Sequence, residues 1–128
     1  MPPLHHKNIR LDPRNYTGHP WYFVTQCTHR RAPYFRNDRI ARWLLTILQD
    51  ECACRSILPR AYCLMPDHLH LLLQATTPNI DLLRFMDTLK HKTSFQFHAR
   101  TGKPLWQTSF YDHILRDTEA PDAVAWYI

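Results

Sequence analysis

Glycine occurs only twice in the 128-residue chain, at Gly18 and Gly102. A loop that cradles phosphates by its backbone needs several glycines at fixed spacing, so no nucleotide cofactor is expected. The four cysteines, Cys27, Cys52, Cys54 and Cys63, contain no Cys-x-x-Cys pair. "ECAC" sets Cys52 and Cys54 two apart in a helical pattern, where side chains diverge. They read as inert thiols of a reducing compartment, and the expected location is cytoplasmic. No apolar run approaches the roughly 18 residues of a membrane span, so no membrane partner is expected. "MPPLHHKNIRLDPRNY" lacks the unbroken apolar stretch of a secretory signal. Internal repeats, low-complexity tracts and linkers that would divide domains are all missing.

The composition is otherwise globular, with 45% hydrophobic and 12% aromatic residues. The length suits one domain that buries roughly two-thirds of its unfolded surface. The net charge of +5 is unevenly placed: residues 1–60 hold ten Lys/Arg against four acids, and residues 61–128 six against seven. "HRRAPYFRNDRIARW" (29–43) interleaves aromatics with arginines, a composition that suits a phosphate backbone and equally a solvated basic surface.

Residues 1–20, with four of the ten prolines, read as an irregular arm. "WYFVTQCTH" (21–29) is rich in aromatic and β-branched residues and reads as a strand. Asn37 or Asp38 caps a helix to about Cys54, with Ile40, Trp43, Leu44, Ile47 and Leu48 in one stripe of 3.6-residue period. "ILPRAYCLMP" (57–66) and "HLHLLLQAT" (68–76) read as two strands joined tightly at Pro66-Asp67. Asn79 is set to cap a second helix to about Ala99, with Leu82, Phe85, Met86 and Leu89 inward. "LWQTSFYDHILRD" (105–117) reads as a fourth strand, and "EAPDAVAWYI" as the start of a further helix. The order βαββαβ predicts an α+β fold of the ferredoxin-like, split βαβ kind. Its antiparallel four-stranded sheet has two helices on one face, leaving the other for a ligand or for the C-terminal helix.

Within "MPDHLHLLLQ" (65–74), alternation puts Leu69, Leu71 and Leu73 on one face of a strand and His68, His70, Leu72 and Gln74 on the other. Two imidazoles leaning the same way form the beginning of a metal site, or simply a polar strand face. Gln74 is a candidate neighbour of that site.

"YCLMPDHLHLLL" resembles the histidine–hydrophobe–histidine motif of the HUH single-tyrosine transposases. "FVTQCTHRRAPYF", "FMDTLKHKTSF", "LWQTSFYDHILRD" and "AWYI" resemble their REP-associated tyrosine transposase branch, over about residues 20–128. The resemblance implies that His68 and His70 bind a divalent metal, Mg²⁺ or Mn²⁺, and that Tyr127 is a nucleophile on the helix after the last strand. It implies single-strand DNA nicking and strand transfer through a covalent phosphotyrosine, with single-stranded or hairpin DNA as partner and either a monomer or a homodimer as the assembly. Lys90, Lys92, Arg30, Arg31, Arg116 and His113 are candidate DNA contacts; a solvated helix face is the rival for the lysines, and a hydrogen-bonded structural role for His113. In the family the last helix continues past the tyrosine with a further metal ligand. This sequence ends at Ile128, so the domain at 21–128 is expected to be cut short in its last helix.

Two other functions compete. The same fold can serve as a non-catalytic module binding structured DNA or RNA by charge and stacking. A zinc hydrolase built on the histidine pair fits less well, because no third protein ligand is evident. Tyr127, judged by "AVAWYI" alone, reads as a half-buried helix residue.

Overall fold

The computed structural model describes residues 21–108, and the backbone of 111–114. The N-terminal arm, Arg116, the C-terminal helix and Tyr127 lie outside the described residues. The elements are β1 (Trp21–Cys27), α1 (Asp38–Cys54), β2 (Ile57–Met65), β3 (His68–Ala75), α2 (Leu82–Thr101) and β4 (Tyr111–Ile114). Two short 3₁₀ turns, His29–Arg31 and Tyr34–Arg36, join β1 to α1.

This is a mixed α+β fold on an antiparallel sheet in the order β2-β3-β1-β4. Three long strands form its body, and β4 is a four-residue edge paired with β1. The expectation of one strand over 105–117 is corrected. Leu105 and Trp106 are buried in the main core, where the Trp106 indole N–H donates to the Thr93 hydroxyl at 2.8 Å. Only an isolated bridge ties Trp106 to Thr28. Their side chains fill the main core rather than a ladder, and among the described residues the sheet resumes at Tyr111.

The first helix starts as its sequence dictates. The Asn37 side-chain oxygen accepts from the amides of Arg39 and Ile40 at 3.0 and 3.2 Å, satisfying two of the free donors of the first turn. Its stripe continues beyond Leu48 into Glu51 and Cys52, both buried. The second helix is capped by Asp81 and not by Asn79: the Arg84 amide donates to Asp81 Oδ1 at 3.2 Å. Gly102, in the left-handed conformation at φ 70°, ends it with its amide on the His98 carbonyl.

The core lies between the helices and one sheet face. Tyr22, Val24, Leu69, Leu71 and Leu73 supply the sheet side, and Leu44, Leu48, Leu82, Phe85 and Leu89 the helix side. Each fully buried side chain of this kind contributes roughly 1.5–3 kcal/mol by leaving water. On the opposite face Phe23 and Leu72 are also buried, at 1% exposure each, although they belong to no part of that core. That face is therefore covered at its centre rather than open. Among the described residues, no helix is long and apolar enough to cross a membrane.

Candidate metal centre

The second sheet face carries the two histidines. Their rings sit edge to face with centroids 4.8 Å apart, on the one face that alternation along the strand gives them. Each imidazole is held through its Nδ1. His68 Nδ1 lies 2.7 Å from Asp67 Oδ1, and His70 Nδ1 lies 2.8 Å from the Thr25 hydroxyl. An ionised carboxylate only accepts, so the hydrogen between Asp67 and His68 belongs to the ring. A neutral His68 therefore presents the lone pair of Nε2. Neither Nε2 has a hydrogen-bond partner among the described residues.

The backbone beneath the pair is clamped. Thr28 and Phe35 donate their amides to the carbonyls of Asp67 and Pro66 at 2.9 and 3.0 Å. The Thr28 hydroxyl donates to Ala32 O at 2.8 Å, and also lies 3.1 Å from Asp67 O. Arg31 Nε donates to the other Asp67 oxygen, Oδ2, at 2.9 Å. To reach it, the chain places two consecutive arginines at positive φ, Arg30 at 52° and Arg31 at 56°. Side chains disfavour that region by roughly 1–2 kcal/mol each.

Electrostatics follow from these contacts. The Arg31 hydrogen bond, then that of His68, holds the Asp67 carboxyl below its usual range. Burial, then the neighbouring His68, pushes the His70 imidazole below its usual range and favours the neutral form. Neutral imidazole is the form that ligates metals.

The donor set fits a divalent cation as a two-imidazole half-site with its outer partners in place, as metal-binding histidines ordinarily have. Among the described residues, no group of three or more His, Cys, Asp or Glu side chains is arranged to hold a metal ion. Cys63 and Met65 stand opposite His70 and His68 in the β2–β3 register, with Cys63 Sγ 3.6 Å from Met65 Sδ.

The other sequence-predicted residues are dispersed. Gln74 is at the far end of the strand, where it accepts from Arg60 Nε at 2.8 Å, and does not join the pair. Lys90 donates to the carbonyls of Gln107 and Thr108 at 3.1 and 2.8 Å, and Lys92 donates to Glu51. Both amines thus have internal partners. Arg30 is exposed. The backbone of His113 pairs with Phe23 at the β1–β4 register, while its side chain lies outside the described residues. Thr25 escapes sequence reasoning because only the pairing of β1 with β3 brings it to His70. Asp67 had a signal, its place immediately before His68 in a tight turn.

Three comparisons bear on this arrangement. A family model described as "Transposase IS200 like" matches residues 19–128. A REP-associated tyrosine transposase bound to a REP hairpin has a similar structure, with a TM-score of 0.73 at 20% identity over 96% of this chain and 70% of that one. A protein of Deinococcus radiodurans R1 that carries a transposase name follows at 0.67 and 24%, over 92% of this chain and 95% of that one. At these identities the two structures speak for the fold. No curated protein matches the chain.

Proposed function

The chain belongs to the IS200-like transposase family, and from that premise we propose that it nicks single-stranded DNA and transfers the strand through a covalent phosphotyrosine at Tyr127. The observation that carries this reading is the imidazole pair of His68 and His70, each fixed through Nδ1 with Nε2 left for a ligand. His68 and His70 would hold Mg²⁺ or Mn²⁺, manganese binding imidazole at least as well. Bound there, the cation supplies Lewis-acid polarisation of a non-bridging phosphate oxygen.

The protein's own groups do the rest. Asp67 at the hairpin turn orients His68 and Thr25 on β1 orients His70, so both imidazoles stand in place without reorganisation. In the proposed step the Tyr127 oxygen gives up its proton to a base or to water and bonds to phosphorus. The opposite P–O bond breaks, and the departing oxygen takes a proton to become a free hydroxyl. The phosphotyrosine keeps the energy of the diester, so another hydroxyl end can reverse the step, which is strand transfer without a nucleotide cofactor. The ferredoxin-like frame, completed by a C-terminal helix bearing Tyr127, belongs to this proposal. So does hairpin-ended DNA as the substrate, supported by the REP hairpin on the structurally similar transposase.

The test is an adduct. Protein incubated with Mn²⁺ and a hairpin-ended single strand is expected to give a denaturation-resistant protein–DNA band that Tyr127→Phe and EDTA both remove. Adduct persisting in Tyr127→Phe overturns the nucleophile, and no adduct from the unaltered chain leaves the binding-module reading in its place.

A further inference from the structure

Phe95 is 71% exposed, the most exposed of the large apolar side chains among the described residues. It stands beside a shallow, open groove of about 440 Å³ between the C-terminal half of α2 and the Pro104–Trp106 segment, lined by Phe95, His91, His98, Pro104 and Leu105 among others. The volume is in the range of a small-molecule site and suits a group the size of one nucleotide.

The stretch of chain that builds the groove is basic. From Thr88 to Tyr111 the sequence has no Asp or Glu, but it carries Lys90, Lys92, Arg100 and Lys103 together with His91 and His98. Lys90 and Lys92 are engaged with backbone carbonyls and Glu51. Arg100 lines the separate cleft between α1 and α2; the charged end of Lys103 has no partner among the described residues, and Lys103 immediately precedes the groove wall at Pro104. An exposed aromatic ring in a groove with a lysine at its edge is the pairing that single-stranded nucleic acids use, base on ring and phosphate on cation.

The groove is also joined to the histidine pair. Its wall residue Trp106 bridges to Thr28, the Thr28 amide donates to the Asp67 carbonyl, and the Asp67 carboxylate holds His68. The two places share one framework.

We infer that this groove binds an unpaired nucleotide of single-stranded DNA, with the base stacked on Phe95 and the adjoining phosphate at Lys103. The inference rests on the reading of the protein as acting on single-stranded DNA and adds to it a second contact, independent of metal and of Tyr127.

The test therefore uses the full chain carrying Tyr127→Phe, in EDTA, with a fluorescein-labelled single-stranded oligothymidylate read by anisotropy. Phe95→Ala is expected to weaken binding about tenfold, the order of one lost base–aromatic stack. Phe95→Trp is expected to keep or tighten it, and Phe95→Leu to behave as alanine. Lys103→Gln is expected to lower the slope of log affinity against log salt by about one. Equal binding by all three Phe95 variants overturns the inference, and so does rescue by leucine as complete as by tryptophan. An abasic strand offers a check that needs no groove variant: binding as tight as that of oligothymidylate overturns stacking. Phe95-dependent binding together with no covalent adduct from the unaltered chain in Mn²⁺ would sink the nicking reaction and leave the groove, whereas adduct formation by the unaltered chain with binding indifferent to Phe95 would do the reverse.

Discussion

The Asp67 carboxylate bridges two elements: Oδ1 meets His68 Nδ1 at 2.7 Å and Oδ2 meets Arg31 Nε at 2.9 Å. One side chain thus sets the orientation of an imidazole and ties the hairpin turn to the loop after β1. Asp67→Ala is expected to weaken Mn²⁺ binding by about 10–100-fold, the usual result of removing the outer partner of a metal-binding histidine. Asp67→Asn is expected to lose less, since its amide oxygen still accepts from Nδ1. Titration calorimetry with Mn²⁺ on the DNA-free protein measures both, and unaltered affinity in Asp67→Ala would refute the role.

The same carboxylate gives a pH dependence with a definite sign. Its pKa is held down in the folded protein, chiefly by the Arg31 hydrogen bond. A lowered carboxyl pKa contributes stability above the unfolded value, about 3.9, and the contribution fades as pH falls through the lower folded value. The difference in melting midpoint between the unaltered chain and Asp67→Asn is therefore expected to shrink as pH falls below about 4. A difference that instead grows on acidification would contradict the contact.

Glu51 is nearly buried on α1, faces Lys92 and lies 3.9 Å from Arg55 Nε. Lys92→Met should leave that carboxylate short of its main partner and lower stability by about 1–3 kcal/mol in urea denaturation. Because Lys92 is half exposed, the lower end of the range is expected. Oligonucleotide affinity, corrected for the folded fraction, is expected to change less than twofold. A large loss of affinity at unchanged stability would return Lys92 to the DNA contacts.

Burial pushes the Cys52 thiol up to about 12, with Glu51 adding to the effect. A raised thiol pKa lowers the thiolate fraction, and thiolate is the species that reacts. At pH 8 iodoacetamide is expected to modify exposed Cys54 and to leave Cys52 and buried Cys27 intact until the protein unfolds. Peptide mass mapping reads the order, and equal rates at Cys52 and Cys54 would refute the burial.

What the sequence made legible was local. The stripe of α1 and its Asn37 cap need only a 3.6-residue period and an Asx side chain, and both stand as expected. The start of α2 was ambiguous because "NID" offers two capping side chains. Asp81 takes the role because Leu82, which follows it directly, is the first residue fully buried in the core. The alternation that reads as strand at 105–117 misled for a similar reason: Leu105 and Trp106 are apolar because they fill the main core, and period-two patterning does not say which partner buries a residue.

The candidate site divides in the same way. His68 and His70 share a face by the geometry of any strand, so their nearness could be read directly from spacing. Thr25, 45 positions from His70, becomes its partner through the register of β1 against β3, which no local pattern encodes. Arg31 reaches Asp67 through a backbone turn that side chains avoid, the kind of departure from local preference that sequence reasoning passes over.

That turn has a consequence for which residues the two positions tolerate. Glycine would relax the backbone at both Arg30 and Arg31, yet at position 31 it would cut the guanidinium tether to the hairpin. Valine or isoleucine would aggravate the backbone and supply no tether. Arginine at 31 is thus a compromise between torsional comfort and anchorage, whereas Arg30, with no ion pair among the described residues, bears the awkward dihedral with nothing visible to offset it. Replacing only Arg30 by glycine should therefore make the loop sturdier.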